Sequence, residues 1–154
     1  MRSLKICSLV ALLVVTLVAC GNDKDDQGGN TPGEQVNVVG QWHLTSWCGS
    51  IPEFDVYIEF KKDGSFDMYQ QTWTFTYEHF AGTYSVDNGV LSGVYSDGSS
   101  WVASYRSEVA NSKLKLRNKL DLSEVSIYDE CKIPTEVIEE ANSNTRSEGV
   151  VPFL

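Results

Sequence analysis

Between Val38 and Ile133 apolar and polar residues alternate with a period of two, and short turn-forming clusters interrupt the alternation at regular intervals. The clearest stretch is Phe54-Asp55-Val56-Tyr57-Ile58-Glu59-Phe60, followed by Lys62-Asp63-Gly64 and then Ser65-Phe66-Asp67-Met68-Tyr69. An Asp-Gly pair between two alternating runs is a β-hairpin signal. Asp87-Asn88-Gly89 and Ser96-Asp97-Gly98-Ser99 repeat the device, and Lys113-Leu114-Lys115-Leu116-Arg117 alternates strictly, with leucines on one face and cations on the other. The pattern predicts strands near 39–48, 54–61, 65–71, 80–86, 90–95, 100–109, 113–118 and 124–131. Eight short strands with tight connections favour a closed, antiparallel up-and-down β-barrel, which removes the exposed edges of an open sheet. Pro134 to Ala141 then predicts a short helix, with proline at its start and acidic residues in its first turns. The residues from Asn142 onward are expected to form a loose tail. The fold class is therefore all-β, a small barrel with a short C-terminal helix.

The first residues break this pattern. Arg2 and Lys5 precede an uncharged apolar run from Ile6 to Leu17, the layout of a secretory signal. The run is shorter than the roughly 20 apolar residues needed to cross a bilayer. Leu17-Val18-Ala19-Cys20 resembles the lipobox of bacterial lipoproteins. That resemblance implies a signal peptide over 1–19 and acylation of Cys20, which would hold the protein to a membrane through lipid chains. Residues 20–36 follow as a polar, glycine-rich segment with too little apolar surface to order itself, expected to be a flexible linker. Within it, Lys24-Asp25-Asp26 looks like the acidic tag that sends some lipoproteins to the outer cell surface, and it also fits an ordinary solvated linker. The expected location is the outer membrane, with surface display as one outcome. The barrel is expected over 37–134, and the helix and tail over 135–154.

Charge narrows the partners. Loss of 1–19 would remove Arg2 and Lys5 and no acid, leaving ten of the 12 basic residues against 21 acidic ones, a formal charge of −11. Nucleic acid is not expected as a partner, because its binders cluster Lys and Arg against phosphates. Of the four cysteines, Cys48 and Cys131 would remain for a disulfide in an oxidising compartment. An eight-strand path puts them at opposite ends, about 25 Å apart at roughly 3.3 Å per residue, beyond disulfide reach. A bond between them would instead require a ninth strand near 72–78.

Val39-Gly40-Gln41-Trp42 is similar to the Gly-x-Trp motif of lipocalins, and the run from Val56 to Gly64 with Gly82-Thr83-Tyr84 looks like the lipocalin-like domain of uncharacterised bacterial lipoproteins. The similarity spans about residues 38 to 134. It implies that Trp42 closes one barrel end, with Arg117 as the candidate basic side chain covering it. An eight-strand barrel is just wide enough to be filled by its own side chains or to hold one small ligand, and the resemblance does not choose between these; a non-enzymatic binding role is the expectation.

In such a meander the longer connections fall at the end opposite Trp42. Trp47, Trp73, Phe75, Tyr77, Tyr95 and Trp101 lie in or beside them, and aromatics gathered at a barrel mouth suit a small apolar or aromatic molecule, or a sugar. Trp73 to Tyr77 also reads as a further strand with its aromatic face in the core. The alternative function is a surface protein partner for a barrel filled by its own side chains. No cofactor, metal or catalytic group is expected. His43 and His79 stand alone, and there is no His-x-His, Cys-x-x-Cys or Gly-x-Ser-x-Gly.

Overall fold

The computed structural model describes residues 36–144 and 149–154. The signal segment, Cys20 and most of the 20–36 linker lie outside the described residues. Eight strands, β1 (Gly40–Trp47), β2 (Asp55–Phe60), β3 (Ser65–Gln71), β4 (Glu78–Asp87), β5 (Val90–Tyr95), β6 (Tyr105–Ala110), β7 (Lys113–Asn118) and β8 (Val125–Glu130), precede one helix, α1 (Thr135–Ser143). Each strand pairs antiparallel with the next, and β1 pairs with β8, from Trp42 opposite Glu130 to Trp47 opposite Ser126, to close the barrel. This is the expected lipocalin-like architecture.

The alternation places Ile58, Phe60, Phe66, Met68, Phe80, Leu91, Leu114 and Leu116 inside, all buried. Tight turns close one end. At Asn88-Gly89 both residues have positive φ, 50° and 74°, which matches the twist of the flanking strands. Trp42 is buried at that end, and its indole Nε1 donates to the Val38 carbonyl at 2.9 Å, so Val36 and Val38 form the floor. Arg117 does not cover it. Leu114 and Leu116 take the inward positions of β7, which turns Arg117 outward near the opposite end, where its Nη1 donates to the Leu122 carbonyl at 2.9 Å.

The sixth strand starts later than its alternation predicts. Only Val90–Arg106 and Leu91–Tyr105 pair across β5 and β6, while Ser100 bridges to Val94 and the Trp101 N–H donates to the Gly93 carbonyl at 3.0 Å. Trp101 fills the gap: its pyrrole edge would lie 2.4 Å from a Cβ at Gly93, and its ring meets Phe66 edge to face with centroids 5.2 Å apart. Helix α1 lies outside the barrel against β3 and β4, burying Val137 and Ala141 with Tyr69 and Ile133. Cys48 and Cys131 are both free thiols, and Cys48 follows β1 at the open end while Cys131 follows β8 at the closed end. Of the expected loose tail, residues 150–154 are instead docked, while 145–148 lie outside the described residues. Leu154 is buried, and Val150 and Phe153 pack against the core.

Gly93→Ala is expected to destabilise the barrel by about 1–3 kcal/mol through overpacking against Trp101. Urea unfolding followed by Trp fluorescence measures it, and a neutral result would remove the indole from its assigned seat.

Candidate functional site

The open end is built from the β1–β2, β3–β4, β5–β6 and β7–β8 connections, and below them the barrel interior changes character. Near the floor the inward side chains are mostly apolar, with Ser107 donating its hydroxyl to the Gly89 carbonyl at 3.1 Å, whereas toward the mouth the buried inward residues include Gln70, Glu78, Asn118 and Ser126. Strand ends supply these polar groups because the last inward position of each strand approaches the rim, where a hydrogen-bond partner can reach it. Buried polar groups need such partners. Asn118 Nδ2 donates to Glu124 Oε2 at 2.8 Å. Burial, with the negative charge of Glu124 adding to it, pushes the Tyr105 hydroxyl up to about 12, so it stays protonated.

Gln70 and Tyr95 are partnered by the tail. Gln70 Oε1 accepts from the Phe153 backbone N–H at 2.8 Å and Gln70 Nε2 donates to the Val151 carbonyl at 2.9 Å. The Tyr95 hydroxyl donates to the Leu154 carbonyl at 2.6 Å. Phe153 sits against Trp47 and Phe54, with ring centroids 6.1 and 5.7 Å away. Burial of the Leu154 side chain contributes roughly 1.5–3 kcal/mol to holding the segment down. Beside it a mostly apolar cleft of about 180 Å³ remains between Trp47, Phe54, Trp73 and Phe153, with Thr72 and the Glu124 carboxylate as its polar lining. A larger groove of about 480 Å³ runs over the β4–β5 hairpin toward Leu120, but it is shallow and open and includes the serines Ser85, Ser92 and Ser100.

The six aromatics expected at the mouth therefore divide. Trp47, Trp73 and Phe75 are exposed there, at 37%, 84% and 100% of full accessibility, and residues 72–77 are a loop rather than a strand. Tyr95 reaches the mouth from inside, through the tail. Trp101 is buried in the core and Tyr77 lies on the outer wall, where its hydroxyl donates to Asp55 Oδ2 at 3.0 Å and its ring faces Tyr57 beneath α1. Burial and the neighbouring Asp55 carboxylate raise the Tyr77 pKa well above its ordinary value. Phe54, Gln70 and the 150–154 segment were missed. Gln70 shares a face with Phe66 and Met68, so its inward position was available from the alternation.

Both histidines face outward. His43 stacks on Tyr57, centroids 4.3 Å apart, and its Nε2 lies 3.0 Å from Asp55 Oδ1. His79 stacks on Tyr69 and its Nε2 lies 2.6 Å from Asp67 Oδ1, while Lys61 Nζ is 2.6 Å from Asp67 Oδ2. These are contacts between neighbouring strands on the outer face of the wall, outside the barrel interior. Among the described residues no three His, Cys, Asp or Glu side chains converge as a metal-ligand set. Nor is any helix among them long and apolar enough to cross a membrane.

A family model described as a lipocalin-like domain matches residues 38–116. No curated protein matches the chain. Among solved structures, the chain is similar to an uncharacterised protein from Bacteroides eggerthii at 17% identity, with a TM-score of 0.48, covering 62% of this chain and 100% of that one.

The outer-wall cluster gives a pH test. The hydrogen bond from His79, with Lys61 assisting against the effect of burial, holds the Asp67 carboxyl below its usual range. A depressed carboxylate stabilises the fold fully above its unfolded value of about 3.9 and loses that contribution as pH falls through the folded value. Asp67→Asn should cost about 1 kcal/mol at neutral pH. In thermal melts across pH, the gap between variant and wild type should close below about pH 4; a gap that persists in acid would show that the charge is not its source.

Proposed function

Because the chain belongs to the lipocalin-like domain family, we propose that it is a non-enzymatic, lipid-anchored envelope lipoprotein whose barrel mouth binds a small apolar or aromatic ligand. The observation that carries the reading is the cleft between Trp47, Phe54, Trp73 and Phe153: it is mostly apolar with Thr72 and Glu124 at its edge, it opens at the barrel mouth, and Trp47 and Trp73 remain in contact with solvent. Ligand sites are concave, mostly apolar surfaces with a few placed polar groups. Gln70 and Tyr95, bonded to residues 151–154, would supply those groups when that segment moves, beside Tyr105. At about 180 Å³ the cleft is smaller than a usual small-molecule site, which spans roughly 300–1,000 Å³. Movement of the 150–154 segment would enlarge it.

Sequence supports the anchor. The lipobox-like Leu17-Val18-Ala19-Cys20 places acylation at Cys20, and Lys24-Asp25-Asp26 favours export to the outer membrane and display at the cell surface. The second reading, a surface lipoprotein that binds another protein, is favoured by one observation: the barrel floor is filled by its own side chains and the mouth by its own tail.

Native mass spectrometry of protein purified gently from its host tests the binding reading. A mass excess that is lost under harsh desolvation, and is reduced at least tenfold in occupancy by Trp73→Ala, is the expected result. A bare mass in repeated preparations would favour the protein-binding alternative. Separately, labelled palmitate should enter the wild-type chain and not Cys20→Ser; equal labelling would remove the anchor.

A further inference from the structure

The contacts of the tail resemble ligand recognition more than core packing. Gln70 uses both halves of its carboxamide on one short segment, accepting from the N–H of Phe153 and donating to the carbonyl of Val151, two residues earlier. A neighbouring strand reads a peptide in the same way, through alternate backbone groups. Tyr95 adds a third bond, again to a backbone carbonyl. None of the three bonds involves a side chain of the tail. Specificity is left to shape: an aliphatic side chain, Leu154, is buried below the rim, and an aromatic one, Phe153, packs against both Trp47 and Phe54. Residues 149–154 are in neither helix nor strand, and Val151 is 60% exposed. The resident segment also leaves Trp73 and Phe75 uncovered at the rim, so it occupies only part of the aromatic surface available.

We infer that the barrel mouth is a reading site for a short, extended, apolar peptide segment of a partner protein, and that the chain's own residues 150–154 are its resident occupant. The inference rests on the proposed binding mouth and names its ligand class. An incoming peptide would repeat the three backbone bonds, insert an aliphatic side chain beneath Tyr95, and extend over Trp73. The resident segment competes with it as a tethered ligand, at an effective concentration in the millimolar range for a short connection.

The probe is a fluorescein-labelled synthetic peptide copying residues 149–154, titrated into the full-length protein and followed by anisotropy. Leu154→Asp places a charge where an apolar side chain is buried, so the resident segment should vacate the mouth and the peptide should bind at least tenfold more tightly than to wild type. Adding Gln70→Met, which removes the carboxamide while keeping similar bulk, should reverse that gain by about tenfold. A folded Leu154→Asp protein with unchanged peptide affinity would overturn the inference. If that variant does not fold, hydrogen exchange on the wild-type chain decides: excess peptide should speed exchange at the Phe153 amide, and an unchanged rate would overturn the inference. Native mass spectrometry of the same wild-type protein separates the two levels. A small-molecule mass excess without peptide binding removes the peptide reading and leaves the binding barrel, whereas neither signal removes both.

Discussion

The pairing of β1 with β8 is the contact on which the remaining structure depends. Without it the eight strands would be an open sheet with two unpaired edges, and inside and outside would not be defined. With it, every second side chain is committed to one enclosed volume. The register slips between Leu44 and Ser46, a bulge that bends β1 as it approaches the mouth. Toward the floor most of the enclosed space is consumed by large apolar side chains such as Trp42, Phe60 and Leu114, and toward the mouth Gln70, Glu78 and Asn118 bring in polar groups. The floor is therefore rigid packing, and adaptable chemistry is confined to the upper layer. That division places any site at the mouth before a single loop is considered.

Closure is uneven around the barrel, and the gap is compensated. Between β5 and β6 only two residue pairs align, and the seam is continued by irregular backbone bonds from residues 99–101 to β5 rather than by a regular ladder. Gly93 and Trp101 compensate together. A residue with no side chain lets the indole lie directly on the backbone of β5, and the indole then contacts Phe60, Phe66 and Tyr105. An aromatic of this size buries 150–250 Å², enough to offset several ladder bonds at about 1 kcal/mol each. The seam lies beside the mouth, so the residues that continue it also shape the entrance.

Much of this was legible in the sequence, for identifiable reasons. Alternation in Phe54–Phe60 and Lys113–Arg117 reports burial directly, and burial of one face defines a strand whose neighbours are close in sequence. The same property misplaces the start of β6. Trp101, Ala103 and Tyr105 are all buried at every second position, so the pattern continues unbroken although residues 101–104 lie outside the regular β5–β6 register. Arg117 shows two sources of inference in conflict: alternation sends it outward, family likeness suggested it covers Trp42, and the local rule prevails because Leu114 and Leu116 already occupy the inward face. Tyr77 was placed at the mouth by its position in a connection, yet α1, which no short-range pattern positions, covers the outer wall where its ring lies. The docking of 150–154 was not legible because its partners, Gln70 and Tyr95, are distant in sequence and five residues carry no usable period.

The energetics of that segment explain why it can be both part of the structure and a ligand. Its three backbone hydrogen bonds contribute about 1 kcal/mol each. The buried Leu154 and partly buried Phe153 side chains add roughly 1.5–3 kcal/mol apiece, for a favourable sum of about 6–9 kcal/mol. Fixing five backbone residues costs about 1–2 kcal/mol each, or roughly 5–10 kcal/mol. The terms nearly cancel, so occupancy depends on the short connection that keeps the segment near the mouth rather than on intrinsic affinity. A tether alters only the concentration of the occupant and leaves the site indifferent to which chain supplies it. A mouth that holds its own tail this weakly through backbone contacts would accept another peptide of the same character, provided that peptide gains from Trp73 and Phe75 what it lacks in proximity.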